Sequence, residues 1–172
     1  MRMHLEHHYD ADVETVFALI TDADFMARKY TAIASTNVAV DKSEEADGGC
    51  ELVLKRTVTV DLPGFTKRVM TPSNTAIQTE NWAAAAADGT RVCTYRVEIQ
   101  GMPSTVSGTV TLSADGDRTR QDIDADVKVS IPLIGGKLEK FAISAGTNDL
   151  AAQAVFTAAE LDGGSDGASG SA

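Results

Sequence analysis

TRQDIDADVKVSIPLIGGKLEKFAISA, residues 119–145, changes its hydrophobic period once, and that change decides the fold. Up to Val129 the chain alternates, with Ile123, Ala125, Val127 and Val129 facing one way and Asp122, Asp124, Asp126 and Lys128 the other. A period of two with one dry and one wet face predicts an antiparallel sheet covered on one side only. Beyond Pro132 the spacing turns helical. Ile134, Leu138, Phe141 and Ala145 fall on one stripe, and Ala152, Val155, Phe156 and Ala159 extend it. Pro132 suits a first helical turn, where its missing N–H costs little, with Ser130 or Ile131 near the cap. Gly146 costs about 1 kcal/mol relative to alanine in a helix and predicts a bend there.

Upstream, the same alternation recurs. Cys93, Tyr95, Val97 and Ile99 oppose Thr94, Arg96 and Glu98, and Val106, Gly108, Val110 and Leu112 oppose Thr105, Ser107, Thr109 and Thr111. A strand around 75–86 holds Ile77 and Trp82. Leu52, Leu54, Val58 and Val60 continue the pattern, with Arg56 on the same apolar face, after Thr36, Val38 and Val40. Asp47-Gly48-Gly49, Asp88-Gly89 and Asp115-Gly116-Asp117 are hairpin turns that permit positive φ. Leu62-Pro63-Gly64-Phe65 reads as a loop, and Pro72-Ser73-Asn74 ends the irregular stretch.

At the N-terminus, Met3, Leu5, His7 and Tyr9 share one face of a strand. Asp10 or Asp12 can cap a helix with the stripe Val13, Val16, Phe17 and Ile20, and Thr21-Asp22 opens a second helix containing Phe25, Met26 and Tyr30. The order is therefore strand, two short helices, six strands and a long helix: an α+β fold with seven strands.

A chain of 172 residues makes one domain. We assign it to residues 1–161, followed by a tail over 162–172 made only of Gly, Ser, Ala and Asp, a composition that predicts disorder. Net charge is -10, from 25 acidic and 15 basic side chains, which argues against a nucleic-acid partner and against stable membrane attachment. The N-terminal residues are too polar for a signal peptide, and no apolar run approaches the ~20 residues of a membrane span. Cys50 and Cys93 make no metal spacing, and a reduced pair in a cytoplasmic protein is favoured over a disulfide.

This order resembles the helix-grip fold of the START-like (SRPBCC) superfamily, which includes Bet v 1 allergens, lipid-transfer START domains and polyketide cyclases. The resemblance is carried by Ala11-Asp12-Val13-Glu14-Thr15-Val16-Phe17 with Thr21-Asp22, by Leu62-Pro63-Gly64 ahead of Trp82, and by Ile131-Pro132-Leu133-Ile134-Gly135-Gly136-Lys137-Leu138-Glu139. More narrowly, the chain is similar to a bacterial family of unknown function, DUF2505, over about residues 3–161. The resemblance implies a curved sheet wrapped around the last helix, with an apolar cavity between them. Small residues on that helix (Ala142, Ala145, Gly146, Ala151, Ala152) are compatible with such a space, or else with a sheet that approaches the helix closely.

The cavity implied in this way would be lined by His7, Leu54, Arg56, Val58, Trp82, Tyr95, Val97, Val110, Val127, Leu138, Phe141 and Ala145. A buried guanidinium needs a partner. Arg56 therefore either meets Glu80, Glu98 or an anionic ligand head, or is turned to solvent by a bulge. The leading expectation is a non-enzymatic binder or carrier of a small apolar or amphipathic molecule, with no cofactor. One alternative is a cyclase or aromatase in which His7, Arg56 and Tyr95 converge, and another is a protein-binding module of the chaperone-activator type.

Other motifs carry no chemistry. His7 points away from His4 and His8, which lie about 13 Å apart on an extended strand, too far to share a metal. Asp122, Asp124 and Asp126 form an outward row with no cleft to separate their pKa values. Gly163-Gly164-Ser165-Asp166-Gly167 matches a nucleophile elbow but lacks the strand-to-helix turn. Gly135-Gly136-Lys137 lacks the remaining elements of a phosphate loop.

Overall fold

The structure is a computed structural model that describes residues 1–59, 64 and 71–165. The expected loop at Leu62-Pro63-Gly64-Phe65 therefore lies, apart from Gly64, outside the described residues, as does Val60. β1 (Arg2–Tyr9) leads into α1 (Val13–Ile20) and α2 (Ala23–Ala32). Both helices start on an aspartate. Asp12 accepts the Thr15 N–H at 2.8 Å, and Asp22 accepts the Phe25 N–H at 2.7 Å. The stripe Val13, Val16, Phe17, Ile20 of α1 is buried throughout, and α2 buries Phe25, Met26 and Tyr30 together with Lys29.

Six strands then follow as a meander: β2 (Thr36–Ala46), β3 (Gly49–Thr59), β4 (Ser73–Trp82), β5 (Arg91–Ile99), β6 (Ser104–Asp115) and β7 (Arg118–Val129). β1 returns beside β7, giving an antiparallel sheet of order β1-β7-β6-β5-β4-β3-β2. Because β1 and β2 stand at opposite edges, α1 and α2 must cross one end of the sheet to join them. The long helix α3 (Gly135–Ser165) packs on β1 and β7 and meets α2.

Gly108 lets β6 approach β7 closely, since a Cβ there would collide with the Asp124 carbonyl. Tyr95, its partner across the β5–β6 pair, reaches over it with the hydroxyl 3.5 Å from that same carbonyl oxygen. An aromatic ring covering a strand glycine restores the packing the glycine lacks.

Four expectations are corrected. β4 ends at Trp82 rather than near 86, and its inward residues are Ala76, Gln78, Glu80 and Trp82, so Ile77 is on the opposite face. The last helix starts at Gly135 rather than near Pro132, because Leu133 takes a left-handed backbone with φ of 69°. It continues through Gly146 to Ser165, so the first residues assigned to the tail are helical, while 166–172 lie outside the described residues. Finally, Ala152, Val155 and Ala159 are not on the inward face, and Val155 stands exposed. The face turned inward is Gly146, Asp149, Leu150, Gln153, Ala154 and Thr157, an i, i+3, i+4, i+7 series whose polar members an apolar pattern skips.

Cys50 and Cys93 are buried and free. Each is paired with Trp82, from β3 and from β5, so they stand two strands apart. That separation is about 9.6 Å, beyond the ~7 Å a disulfide allows. Among the described residues, no helix is long and apolar enough to cross a membrane.

Candidate functional site

One end of the sheet is filled. Val16, Phe25, Leu52, Cys93 and Leu112 are withdrawn from solvent beneath α1 and α2, and Phe17 meets Trp82 edge-on at 5.6 Å. Arg91 closes this end by stacking 4.0 Å over Phe17 while gripping Glu14 with two hydrogen bonds of 2.9 and 2.7 Å.

The middle of the sheet is different. Among the described side chains of α3, only Gly135, Leu138 and Thr157 are buried, so most of the helix stands off the strands. Between its C-terminal half, α2 and the sheet lies a cavity of about 200 Å³. Ile20, Met26, Val97, Val106, Val110 and Ile123 form apolar wall, and Tyr9, Tyr30, Trp82 and Tyr95 contribute rings. This is space for several waters or for a small ligand.

One side of the cavity is charged. Lys29, Arg56 and Gln78, each less than a tenth exposed, line it with Glu80 and with Asp149 of α3. Gln78 is the hub. Its Oε1 accepts from Arg56 Nη1 at 2.8 Å, and its amide nitrogen donates to Tyr30 Oη at 3.0 Å and to Glu80 Oε1. The second Glu80 oxygen accepts from the Trp82 indole at 3.0 Å. The Tyr30 ring carries two cations, the Arg56 guanidinium at 4.2 Å and the Lys29 ammonium at 5.0 Å, a cation–π arrangement that stabilises charge away from water.

Burial dominates the electrostatics here. It pushes Lys29 down to about 8, with Arg56 adding to the fall and Glu80 opposing it. Burial also pushes the Tyr30 phenol up to about 12 and raises the Asp149 carboxyl, the latter against the pull of Arg56. A lysine near neutrality beside a fixed guanidinium is the kind of perturbed group that marks functional sites.

Of the residues expected from the sequence, Arg56, Trp82, Tyr95, Val97 and Val110 meet at this cavity. The remainder do not line it. Leu54, Val127 and Leu138 are buried, and Val58, Phe141 and Ala145 are half-buried. The reason is position: the open space lies under residues 146–157, whereas Leu138 plugs the first part of the helix. His7 faces inward and is half-buried, with Nε2 lacking a hydrogen-bond partner among the described residues. Burial lowers its pKa, with His8 adding to the effect.

Arg56 is inward, so the bulge alternative is excluded. Glu98 is exposed and ion-paired with Arg96 at 2.8 Å, whereas Glu80 is in the cavity wall. Lys29, Gln78 and Asp149 escaped the sequence reading, and Glu80 entered it only as a candidate partner of Arg56, though spacing held a signal. Position 29 is i+4 from Phe25 and i+3 from Met26, and positions 78 and 80 share the parity of Trp82. On the outer face, ligand atoms of His4, Glu6 and Asp122 come within 4.8 Å of one another. Arg120 already pairs with Glu6 at 3.0 Å and Asp122 at 2.8 Å, which neutralises that cluster.

Solved structures share this architecture. The protein TTHA0849 of Thermus thermophilus is 15% identical, with 96% of this chain and 99% of that one covered at a TM-score of 0.67. The Zhui aromatase/cyclase of a Streptomyces species is 16% identical, with 94% of both chains covered at 0.62. A STAR-related lipid transfer protein of Xanthomonas axonopodis is 14% identical, with 94% and 85% covered at 0.65. At such identities these likenesses establish the helix-grip fold. No curated protein matches the chain in sequence. The family model for the protein of unknown function DUF2505 matches residues 4–161, nearly the whole chain, and the chain belongs to that family.

Proposed function

We propose that this chain binds or carries a small amphipathic molecule, with its apolar body against Val97, Val106, Val110 and Ile123 and its polar end toward Lys29 and Arg56. The observation that carries this is a cavity of about 200 Å³ with apolar walls and one buried, charged side. Ligand sites are concave and mostly apolar, with a few placed polar groups that fix orientation. Lysine and arginine are rarely buried without a specific partner, so their withdrawal here marks a site rather than a core. Two fold relatives, a lipid transfer protein and an aromatase/cyclase, support the same reading by what they are named for.

A cyclase would require His7 to join Arg56 and Tyr95, and His7 does not line the cavity. A protein-binding module would require a large exposed apolar patch. The exposed large hydrophobics among the described residues are Met1, Val92, Leu133 and Val155, which belong to four separate parts of the chain.

The test is thermal unfolding against a panel of C6–C12 amphiphiles, together with native mass spectrometry of the purified protein. A hundredfold excess over the dissociation constant stabilises by about 2.7 kcal/mol, or about 5–10 °C for a domain of this size. A panel without any shift, and a spectrum without any retained molecule, would remove the proposal.

A further inference from the structure

The donors and acceptors on the charged side do not balance. Both Glu80 oxygens are engaged, by Gln78 and by Trp82, so this carboxylate is committed to the protein's own donors. Of the five N–H groups a guanidinium offers, Arg56 uses one on Gln78, and its Nε is buried with no partner among the described residues. The Lys29 ammonium offers three more. It lies 5.6 Å from the centre of the Phe25 ring and 5.0 Å from that of Tyr30, feels the charge of Glu80, and makes no hydrogen bond or ion pair among the described residues. Two cations, each less than a tenth exposed, thus face one space with most of their donors unused. The Asp149 carboxyl, on α3, is the one other charged group at the cavity among the described residues, and it too has no hydrogen-bond partner there. Asp149 does not close the account: two carboxyl oxygens cannot satisfy the seven unused donors.

We propose that the unused donors of Lys29 and Arg56 form a receptor for a carboxylate, so that the ligand is a compact carboxylic acid with an apolar body. This rests on the cavity being a ligand site, as proposed above, and adds which head group it selects. A carboxylate is acceptor-only and can take a fork of two N–H groups from a guanidinium, with strong charge-assisted bonds. An alcohol brings a donor of its own to a side already rich in donors, and an alkyl ammonium brings a third cation. A dianionic phosphate would face Glu80 and Asp149 with twice the repulsion. A body the size of a short chain or a single ring system suits this volume. An arriving anion also favours the charged form of Lys29, now held at about 8 by burial and by Arg56. Binding near pH 8.5 therefore takes up a proton, and binding near pH 6.5 takes up little or none. Tyr30, pushed up to about 12, stays neutral throughout.

The experiment is isothermal titration of the full chain with octanoate, 1-octanol, methyl octanoate, octylamine and octyl phosphate. Octanoate is expected to bind about tenfold or more tighter than octanol or the ester, with octylamine weakest and octyl phosphate weaker than octanoate. At pH 8.5 the octanoate enthalpy should vary with the ionisation enthalpy of the buffer, and that dependence should vanish in Lys29→Met. Lys29→Met and Arg56→Gln should each weaken octanoate binding by a larger factor than octanol binding, and so reduce the octanoate advantage. Octanol binding as tightly as octanoate, or octanoate binding without proton uptake, would overturn the carboxylate receptor and leave the cavity site standing. If none of the five binds, both proposals fall. The ligand series and the buffer test use the unaltered protein, so a variant that fails to fold does not blunt them.

Discussion

β5 and β6 pass through two unlike regions of the same interior. Where α1 and α2 cross the sheet, Cys93 and Leu112 are fully buried against Val16, Phe17 and Trp82. Further along, under the C-terminal half of α3, Val97, Val106 and Val110 are half-buried and border open space. The strands supply similar side chains in both places, so the difference comes from what covers them. The short helices present Val13, Val16, Phe17 and Phe25, which fill the space they cross. α3 presents Gly146, Asp149, Gln153 and Thr157, which are too small or too polar to fill it. Interiors pack at crystal-like density unless the covering element is built otherwise. Here the hollow is a property of one helix face.

Substitutions can break or sharpen that contrast. The largest effect belongs to the filled end: Phe25→Ala should cost about 3–5 kcal/mol in urea unfolding, because its ring is fully buried and nothing can collapse around it. A loss below about 1 kcal/mol would mean that this end is loosely packed as well.

Lys29→Met should do the opposite and stabilise the protein near pH 7. A fall in pKa from 10.5 to about 8, at about 1.4 kcal/mol per pH unit, puts the burden of the buried charge at about 3 kcal/mol. Between pH 8 and 10.5 the unfolded chain holds this proton and the folded chain does not, so wild-type stability gains with rising pH there. The advantage of Lys29→Met should accordingly shrink to near zero by about pH 10.5. A constant advantage from pH 7 to pH 10.5 would contradict the buried, cavity-facing charge.

Added volume gives a smaller but more direct contrast. Val16→Leu, in the filled end, should cost about 1–3 kcal/mol through overpacking. Val110→Leu, at the cavity wall, should change stability by less than about 1 kcal/mol. Equal costs would erase the distinction between the regions. A further small effect concerns α2, which serves both: Asp22→Ala removes the cap on Phe25 N–H and should cost about 1 kcal/mol.

Most of the fold was legible because local rules and tertiary packing agree along most of this chain. The stripe of α1, the caps at Asp12 and Asp22, and the inward faces of β5, β6 and β7 all follow from side-chain period and short-range hydrogen bonding. The site was half legible, for the reason that makes it a site. Its apolar and aromatic wall obeys the pattern, so Trp82, Tyr95, Val97 and Val110 could be named, and Arg56 stood out by sitting among them. Lys29, Gln78, Glu80 and Asp149 violate the pattern, so reading by hydrophobicity moved the faces of β4 and of the later part of α3 away from them. Asking which polar residues occupy inward spacings would have found Lys29, Gln78 and Asp149 and put Glu80, named from the sequence only as a partner for Arg56, on the inward face. Register decided the cysteines: only strand order shows that Trp82 stands between Cys50 and Cys93.

The hollow itself is best tested by methyl-resolved NMR of the chain during titration with 1-octanol, a probe that does not depend on which head group the site selects. Saturable shifts are expected at the methyls of Ile20, Val97, Val106, Val110, Ile123 and Leu150, with Val16, Leu52 and Leu112 nearly unmoved. Shifts centred on Val16, Leu52 and Leu112, or spectra that do not change at saturating octanol, would contradict a protein filled at one end and open at the other.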